Sequence, residues 1–80
     1  MENLTYGQKL VGLTFNPSGD PEVIRVKQFF ADLIDTTYNK MGAEDLSEAF
    51  INIYVDTITN LVTAQMWAVK MLTWKNEVKV

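Results

Sequence analysis

The second half of the chain alternates apolar and polar residues with the period of an α-helix. Apolar side chains recur at steps of three and four residues, which places them on one side of a helix. They form two neighbouring stripes, Ile51, Val55, Ile58, Val62, Met66 and Val69 in the first and Phe50, Tyr54, Leu61, Ala64, Ala68 and Leu72 in the second. Together the stripes are wider than the roughly 100° that one neighbour covers. The pattern predicts a helix over residues 44–75 that packs against more than one partner.

A second helix is predicted over residues 21–41. Asp20 suits the N-cap position, where its carboxylate accepts from free backbone amides, and Pro21 suits the first helical position. The residues that follow keep helical spacing, and Gly42 suits the left-handed position that closes a helix. Charges match the helix dipoles, with Lys40 in the last turn of this helix and Glu44, Asp45 and Glu48 at the start of the next. The short link between the helices predicts an antiparallel helical hairpin.

Residues 1–19 lack a sustained helical period and hold three of the four glycines, Gly7, Gly12 and Gly19. We therefore predict an extended N-terminal arm that lies on the helices. A chain of 80 residues without cysteine has one domain at most and a thin core, which association with further copies would enlarge. The predicted fold is a single all-α domain over residues 1–80, an antiparallel helical hairpin with an extended arm, assembled as a homo-oligomer.

The chain contains no histidine and no cysteine. Their absence removes the commonest general base at neutral pH, the usual transition-metal ligand and cysteine-based zinc sites. Asp32 and Asp35 lie three residues apart on one helical face, but nothing predicts the desolvated cleft that acid–base catalysis needs. Both are expected to be solvated. We therefore predict no enzymatic activity, no catalytic residue, no metal site and no cofactor.

Charge and hydropathy limit the partners. The net charge of −3 opposes binding to DNA or RNA polymers, which depends on clustered Lys and Arg, but it is compatible with a small anion held by a few donors. The long helix carries too many polar residues to span a membrane. The first residues lack the basic and apolar regions of a secretory signal. We expect a cytoplasmic protein with no membrane partner.

Three local features each have a functional and a structural interpretation. Residues 15–21, FNPSGDP, form either a loop whose amides hold a phosphate or a turn before a capped helix, and local signals favour the turn. Arg25 and Lys27 either neutralise phosphates or lie on a solvated helix face, the commoner outcome for charged residues. The third feature is a group of aromatic and sulfur-containing residues, Met66, Trp67 and Trp74. They either stack on a base or belong to a core or subunit interface, and the core or interface role is the commoner one.

Five segments of the chain carry a family resemblance. They are Gly7-Gln8-Lys9, the turn from Phe15 to Asp20, Val23 with Val26-Lys27, Leu33-Ile34-Asp35, and the stretch AQMWAVK from Ala64 to Lys70. Joined in this order, with a hairpin between them, they resemble the small hairpin domain of phage proteins that sequester cyclic-nucleotide signals, the anti-CBASS and anti-Thoeris sponges.

The resemblance implies a homo-oligomer, a hexamer in the best-known members, that binds cyclic di- or trinucleotides in an infected bacterial host without cleaving them. The implied function is immune evasion by a nucleotide sponge that blocks CBASS-type defence. In the family an aromatic residue before helix one stacks on a base and a lysine in its early turns meets the phosphates, and the matching residues are Phe15 and Lys27. Ile58 stands where the family has a basic residue, so one phosphate contact of the family is lost here. This loss disfavours cyclic trinucleotides, and cyclic dinucleotides are the expected ligands. The predicted ligand-binding residues are Phe15, Asn16, Ser18, Gly19, Arg25, Lys27, Thr59 and Lys70.

A different class of function stays open beside the sponge. The chain is alternatively a structural or protein-binding helical hairpin that docks on a host or phage protein. The loop before helix one, joined to Lys27, favours the sponge, whereas the scarcity of basic residues favours the protein binder.

Overall fold

A computed structural model describes residues 3–41 and 47–74, and every regular element within them is an α-helix. The helices are α1 (Tyr6–Val11), α2 (Pro21–Met41) and α3 (Glu48–Leu72). The predicted all-α fold is confirmed, and α2 has the predicted boundaries. Helix α3 lies inside the predicted range 44–75. The predictions for Gly42, Glu44 and Asp45 lie outside the described residues.

The predicted extended arm over residues 1–19 is wrong where α1 forms. A capping box begins this helix: the Thr5 hydroxyl accepts from the Gln8 amide at 3.1 Å, and the Gln8 side chain accepts from the Thr5 amide at 2.9 Å. Gly12 ends it in the left-handed conformation, with φ of 64°. A helix of six residues spans fewer than two turns. It therefore lacks the repeated spacing that a periodicity argument needs.

The starts of the two long helices are capped by side chains. The Asp20 carboxylate accepts from the Glu22 amide at 2.9 Å, as its predicted N-cap role requires. The Ser47 hydroxyl accepts from the Phe50 amide at 3.2 Å and caps α3, a role that the sequence analysis missed. Lys40 lies in the last turn of α2, at the favourable end of its dipole.

Helix α1 approaches α2 closely enough that a glycine is required at the contact. A Cβ atom at Gly7 would lie 2.3 Å from the carbonyl oxygen of Ala31. The Gly7 amide donates to the Asp35 carboxylate at 2.7 Å, so α2 supplies an acceptor to the first turn of α1. Asp35 is therefore half-buried and hydrogen-bonded, and less solvated than expected. Asp32 is exposed as expected and accepts from Gln28 at 2.7 Å.

Helix α2 packs against both other helices, and the opposite ends of the long helices are neighbours. The start of α2 lies beside Val69 and Thr73 at the end of α3. The end of α2 lies beside Phe50 and Tyr54 at the start of α3. The small apolar core consists of Val11, Ala31, Ile34 and Ile58, with Leu13, Phe30, Tyr54, Leu61 and Val62 packed against it.

Three tyrosines connect all three helices at one edge of the core. The rings of Tyr6 and Tyr38 stack with centroids 4.4 Å apart. Burial, followed by the neighbouring Tyr6 side chain, raises the pKa of Tyr54 to about 12. The cluster attaches α1 to both long helices.

Several large apolar side chains on α2, on α3 and just past the end of α3 stay exposed, among them Phe29, Leu33, Val55, Met66, Trp67, Met71 and Trp74. No helix among the described residues has the length and apolar character needed to cross a membrane.

Replacing Gly7 with Ala should lower the free energy of unfolding by about 1–3 kcal/mol, because the new methyl group would overlap the Ala31 carbonyl. At an open helical position the same change would raise stability. Urea denaturation followed by circular dichroism measures the difference. The control is Lys9→Ala on the exposed side of α1, which should change stability by less than about 0.5 kcal/mol. A Gly7→Ala protein as stable as the wild type would contradict the close approach.

The raised pKa of Tyr54 predicts a loss of stability at high pH. The folded state keeps the hydroxyl proton up to about pH 12, whereas the unfolded chain releases it near about pH 10. The folded state therefore binds more protons in this window, and stability present below about pH 10 is lost as the pH rises. From about pH 9 to about pH 11, urea denaturation should show the wild type losing about 1 kcal/mol more than Tyr54→Phe. Equal losses in the two proteins would show that the pKa is not raised.

Candidate ligand-binding cleft

A cleft opens where the loop between α1 and α2 meets the start of α2 and the end of α3. Its volume is about 520 Å³, within the range of small-molecule sites. The loop supplies a polar wall, and the helices supply apolar side chains and one cation. The lining residues are Phe15, Asn16, Pro17, Ser18, Val23, Lys27, Val69 and Thr73.

The polar side chains of the loop bind to one another and hold its shape. Asn16 donates to the Asp20 carbonyl at 3.0 Å and accepts from the Ser18 hydroxyl at 2.7 Å. The Ser18 hydroxyl in turn accepts from the Asp20 amide at 3.1 Å. Gly19 adopts a φ of 71°, the left-handed region in which a glycine is favoured. The loop is therefore a built turn that leads into the capped start of α2.

Lys27 is buried at the base of this loop, with only 6% of its surface exposed. Its ammonium group donates to the carbonyl oxygen of Gly12 at 2.9 Å and to that of Phe15. Burial lowers the pKa of Lys27 below its ordinary value. The alternative that Lys27 lies on a solvated helix face is wrong. Helical spacing from Val23 and Ala31, which are both buried, places Lys27 on the inner side of α2.

Phe15 combines a fixed backbone with an open ring. Its amide donates to the Gly12 carbonyl at 2.9 Å, and its own carbonyl accepts from Lys27. The side chain nevertheless stays 70% exposed. The Lys27 ammonium lies 5.6 Å from the ring centroid, within the range of a cation–π contact. The cleft therefore has an accessible aromatic wall with a positive charge beside it.

The donor groups of the cleft are largely used within the protein. The Ser18 hydroxyl donates to Asn16, and the Thr73 hydroxyl donates to the Val69 carbonyl at 2.9 Å. An ammonium has three N–H donors, and Lys27 directs two of them to backbone carbonyls. In residues 3–41 and 47–74, no group of three or more His, Cys, Asp or Glu residues is placed to hold a metal ion. The arrangement offers stacking and a positive potential rather than a nucleophile held by a base.

The cleft brings together four of the predicted ligand-binding residues, Phe15, Asn16, Ser18 and Lys27. Gly19 belongs to the same loop, but the remaining three lie outside the cleft lining. Arg25 pairs with Glu22 on the exposed surface of α2. Thr59 and Lys70 are exposed on α3.

The sequence analysis did not assign ligand binding to the other four lining residues, Pro17 and Val23 beside the predicted loop and Val69 and Thr73 at the end of α3. Val69 was assigned to an apolar stripe of α3, which indicates burial but not the neighbouring loop. Thr73 caps the end of α3 through its backbone amide, which donates to the Val69 carbonyl at 3.0 Å. Their part in the cleft depends on how the end of α3 packs beside the start of α2, which local sequence does not encode.

A smaller cleft of about 280 Å³ lies at the other end of the long helices. Its wall is mostly apolar and includes none of the predicted ligand-binding residues. The lining residues are Thr36, Thr37, Lys40, Phe50, Ile53, Tyr54 and Thr57. Three of these, the threonines, donate their hydroxyls to carbonyls of their own helices.

No protein-family model matches the chain, and neither a curated protein sequence nor a solved structure is detectably similar to it. The resemblance carried by the five sequence segments therefore stays a prediction. The chemistry available to the chain follows from the geometry of the cleft itself.

Proposed function

We propose that this protein is a phage-encoded sponge that binds cyclic oligonucleotide signals without cleaving them and so blocks CBASS-type defence in the host cytoplasm. Cyclic dinucleotides are the proposed ligands. The observation that carries the proposal is the exposed ring of Phe15 on the wall of a cleft that also contains the Lys27 ammonium. The family resemblance places a base stack and a phosphate contact at these two residues.

The cleft suits a base with an attached phosphate in size and in chemistry. A stacked base gains about 1–3 kcal/mol from one aromatic ring, whichever base it is. A buried ammonium beside that ring favours an anionic ligand over a neutral one. The volume of about 520 Å³ leaves room for more than the stacked base alone. These properties support a cyclic nucleotide over a purely apolar ligand.

Binding without turnover is proposed on the basis of the residue types present. The sequence has no histidine and no cysteine. A bound cyclic phosphodiester would therefore meet neither a histidine general base nor a cysteine nucleophile. The hydroxyls of Ser18 and Thr73 donate to other protein groups. A bound ligand is therefore expected to dissociate from the protein chemically unchanged.

We further propose that α2 and α3 form an antiparallel hairpin and that the hairpin assembles into a homo-oligomer, with a hexamer as the implied size. The adjacency of opposite helix ends supports the hairpin. The large apolar side chains that stay exposed support assembly, because a second copy would cover them. Trp67 and Met71 on α3 and Trp74 just after its end are exposed, are spaced four and three residues apart and form a surface suited to that contact. We call it the Trp67–Trp74 surface.

The second candidate function is a protein-binding hairpin that docks on a host or phage protein. The Trp67–Trp74 surface favours this candidate as well, because exposed tryptophan and methionine are typical of protein interfaces. The two candidates differ in their use of Phe15, which only the sponge requires for stacking.

Replacing Phe15 with Ala should weaken binding of the best cyclic dinucleotide by about 1–3 kcal/mol, because the base loses its stacking partner. Isothermal titration calorimetry of the wild type against cyclic di-AMP, cyclic di-GMP, cyclic GMP–AMP and cyclic tri-AMP identifies that ligand. The matched control is Phe29→Ala, which removes another largely exposed ring from α2 outside the cleft and should leave affinity unchanged.

Two results would contradict the sponge. One is the absence of binding to every member of the panel, which would leave the protein-binding hairpin as the better candidate. The other is recovery of linear product when the bound nucleotide is released by heat, because the proposal requires that it return intact.

Replacing Met71 with Lys should break the proposed assembly, because the new charge would be buried without a partner at the contact. Met71 is 72% exposed in the single chain, so the change should leave the helical content of each copy unchanged. Light scattering measures the mass, and circular dichroism checks the fold. Asn39→Lys adds the same charge at an exposed position of α2 and serves as the control. A wild type that stays monomeric at all concentrations would rule out the homo-oligomer.

A further inference from the structure

We propose that the smaller cleft, between the end of α2 and the start of α3, receives the Trp67 side chain of a second copy of this chain. The contact is head to tail, because it joins the end of α3 in one copy to the start of α3 in the next. The proposal rests on the homo-oligomer of the proposed function and gives the Trp67–Trp74 surface its partner. The larger cleft takes no part in this contact.

Trp67 is suited to be the anchor of such a contact. It lies within α3, and its side chain is nevertheless 68% exposed. Met71, one turn further along the same side of the helix, is 72% exposed. A tryptophan buries roughly 150–250 Å² when it is covered, and buried tryptophans often dominate the binding energy of an interface. A cleft that accepts this one ring would therefore remove a large apolar area from water.

The smaller cleft matches an indole ring in size and in chemistry. Its volume of about 280 Å³ leaves room for one ring system, just below the ~300–1,000 Å³ of small-molecule sites. The hydroxyls of Thr36, Thr37 and Thr57 donate to carbonyls of their own helices at 2.8–3.0 Å. Each hydroxyl oxygen keeps lone pairs that can accept, whereas the indole N–H is a donor only. The mostly apolar wall thus suits the ring, and a threonine oxygen suits its N–H.

The charges at the two ends of α3 are complementary. Residues 42–56 contain four acidic residues and no basic one, whereas residues 70–80 contain three lysines and one glutamate. Glu48 and Asp56 are exposed at the start of α3, and Lys70 is exposed near its end. The region of the cleft stays acidic when Lys40, which lines it, is included, and the face of an indole attracts such a cation. Opposite charges favour head-to-tail docking over contact between two like ends.

The distance within one chain requires that the occupant come from another copy. Trp67 lies about four helical turns beyond Ile53, which lines the cleft, and so roughly 20 Å along α3. Each copy therefore donates one tryptophan and receives another. A contact of this kind is heterologous, and it closes into a ring when the rotation between neighbouring copies allows it.

Tryptophan fluorescence tests the contact in a mixture of two variants. The emitting chain carries Ile53→Arg and Trp74→Phe, so its own cleft is blocked and Trp67 is its one tryptophan. The dark chain carries Trp67→Ala and Trp74→Phe, so it has an open cleft and no tryptophan. Adding the dark chain should shift the Trp67 emission to shorter wavelength, because the ring moves from water into an apolar cleft. A dark chain that also carries Ile53→Arg is the control and should leave the emission unchanged.

Light scattering of the single variants gives a second measurement. Ile53→Arg and Trp67→Ala should each reduce the wild-type mass to that of one chain. Ile53 is 63% exposed in the single chain, so circular dichroism should show unchanged helical content. Val55→Arg places the same charge at an exposed position of α3 outside the cleft and should keep the wild-type mass.

The outcomes separate this contact from the rest of the proposed function. An emission shift that is as large with the blocked dark chain, or no shift with the open one, would overturn the head-to-tail contact. If Ile53→Arg keeps the wild-type mass while Trp67→Ala does not, Trp67 meets a different surface, and the contact is wrong while the homo-oligomer stands. If the wild type is monomeric and the emission does not shift, both are wrong and the smaller cleft has another occupant. Nucleotide binding is measured separately by calorimetry and is decided by that result.

Discussion

The ammonium of Lys27, hydrogen-bonded to the carbonyls of Gly12 and Phe15, is the interaction on which the cleft depends. A buried charge must have partners, and the carbonyl of Phe15 and that of Gly12, which also accepts from the Phe15 amide, supply them. The connection between α1 and α2 is thereby held against α2 instead of lying loose on the surface. The exposure of the Phe15 ring follows, because its backbone is fixed while its side chain points away from the small core.

A second constraint is the small size of the apolar core. Helix α1 lies close against α2 because Gly7 has no side chain at the Ala31 carbonyl, and the tyrosine cluster joins both to α3. The core of the three helices is nevertheless small, and large apolar side chains stay open to water. The Trp67–Trp74 surface and the cleft both lie toward the end of α3, so the proposed assembly and the proposed ligand site adjoin the same part of the fold. A second copy on that surface would be near the cleft.

The sequence predicted those features of the structure that depend on residues close together in the chain. The boundaries of α2 follow from the Asp20 cap and a sustained apolar stripe, and the turn that contains Asn16 and Ser18 follows from its Asn-Pro and Ser-Gly pairs. Helix α1 was missed because it is too short for periodicity. The roles of Lys27 and Asp35 were missed because a charged residue on a helix is ordinarily solvated, and their acceptor and donor lie 12 to 28 residues away along the chain. Only the packing of the helices brings those groups together.

The most direct test of the account is a map of where a cyclic dinucleotide touches the protein. The measurement is a titration of the isotope-labelled protein with the cyclic dinucleotide that binds best in calorimetry, followed through backbone amide and methyl chemical shifts. The account predicts shifts concentrated at Phe15, Ser18, Val69 and Thr73, on the wall of the larger cleft. Shifts confined to the other end of the long helices, around Phe50 and Thr57, would contradict it, as would a spectrum that the nucleotide leaves unchanged.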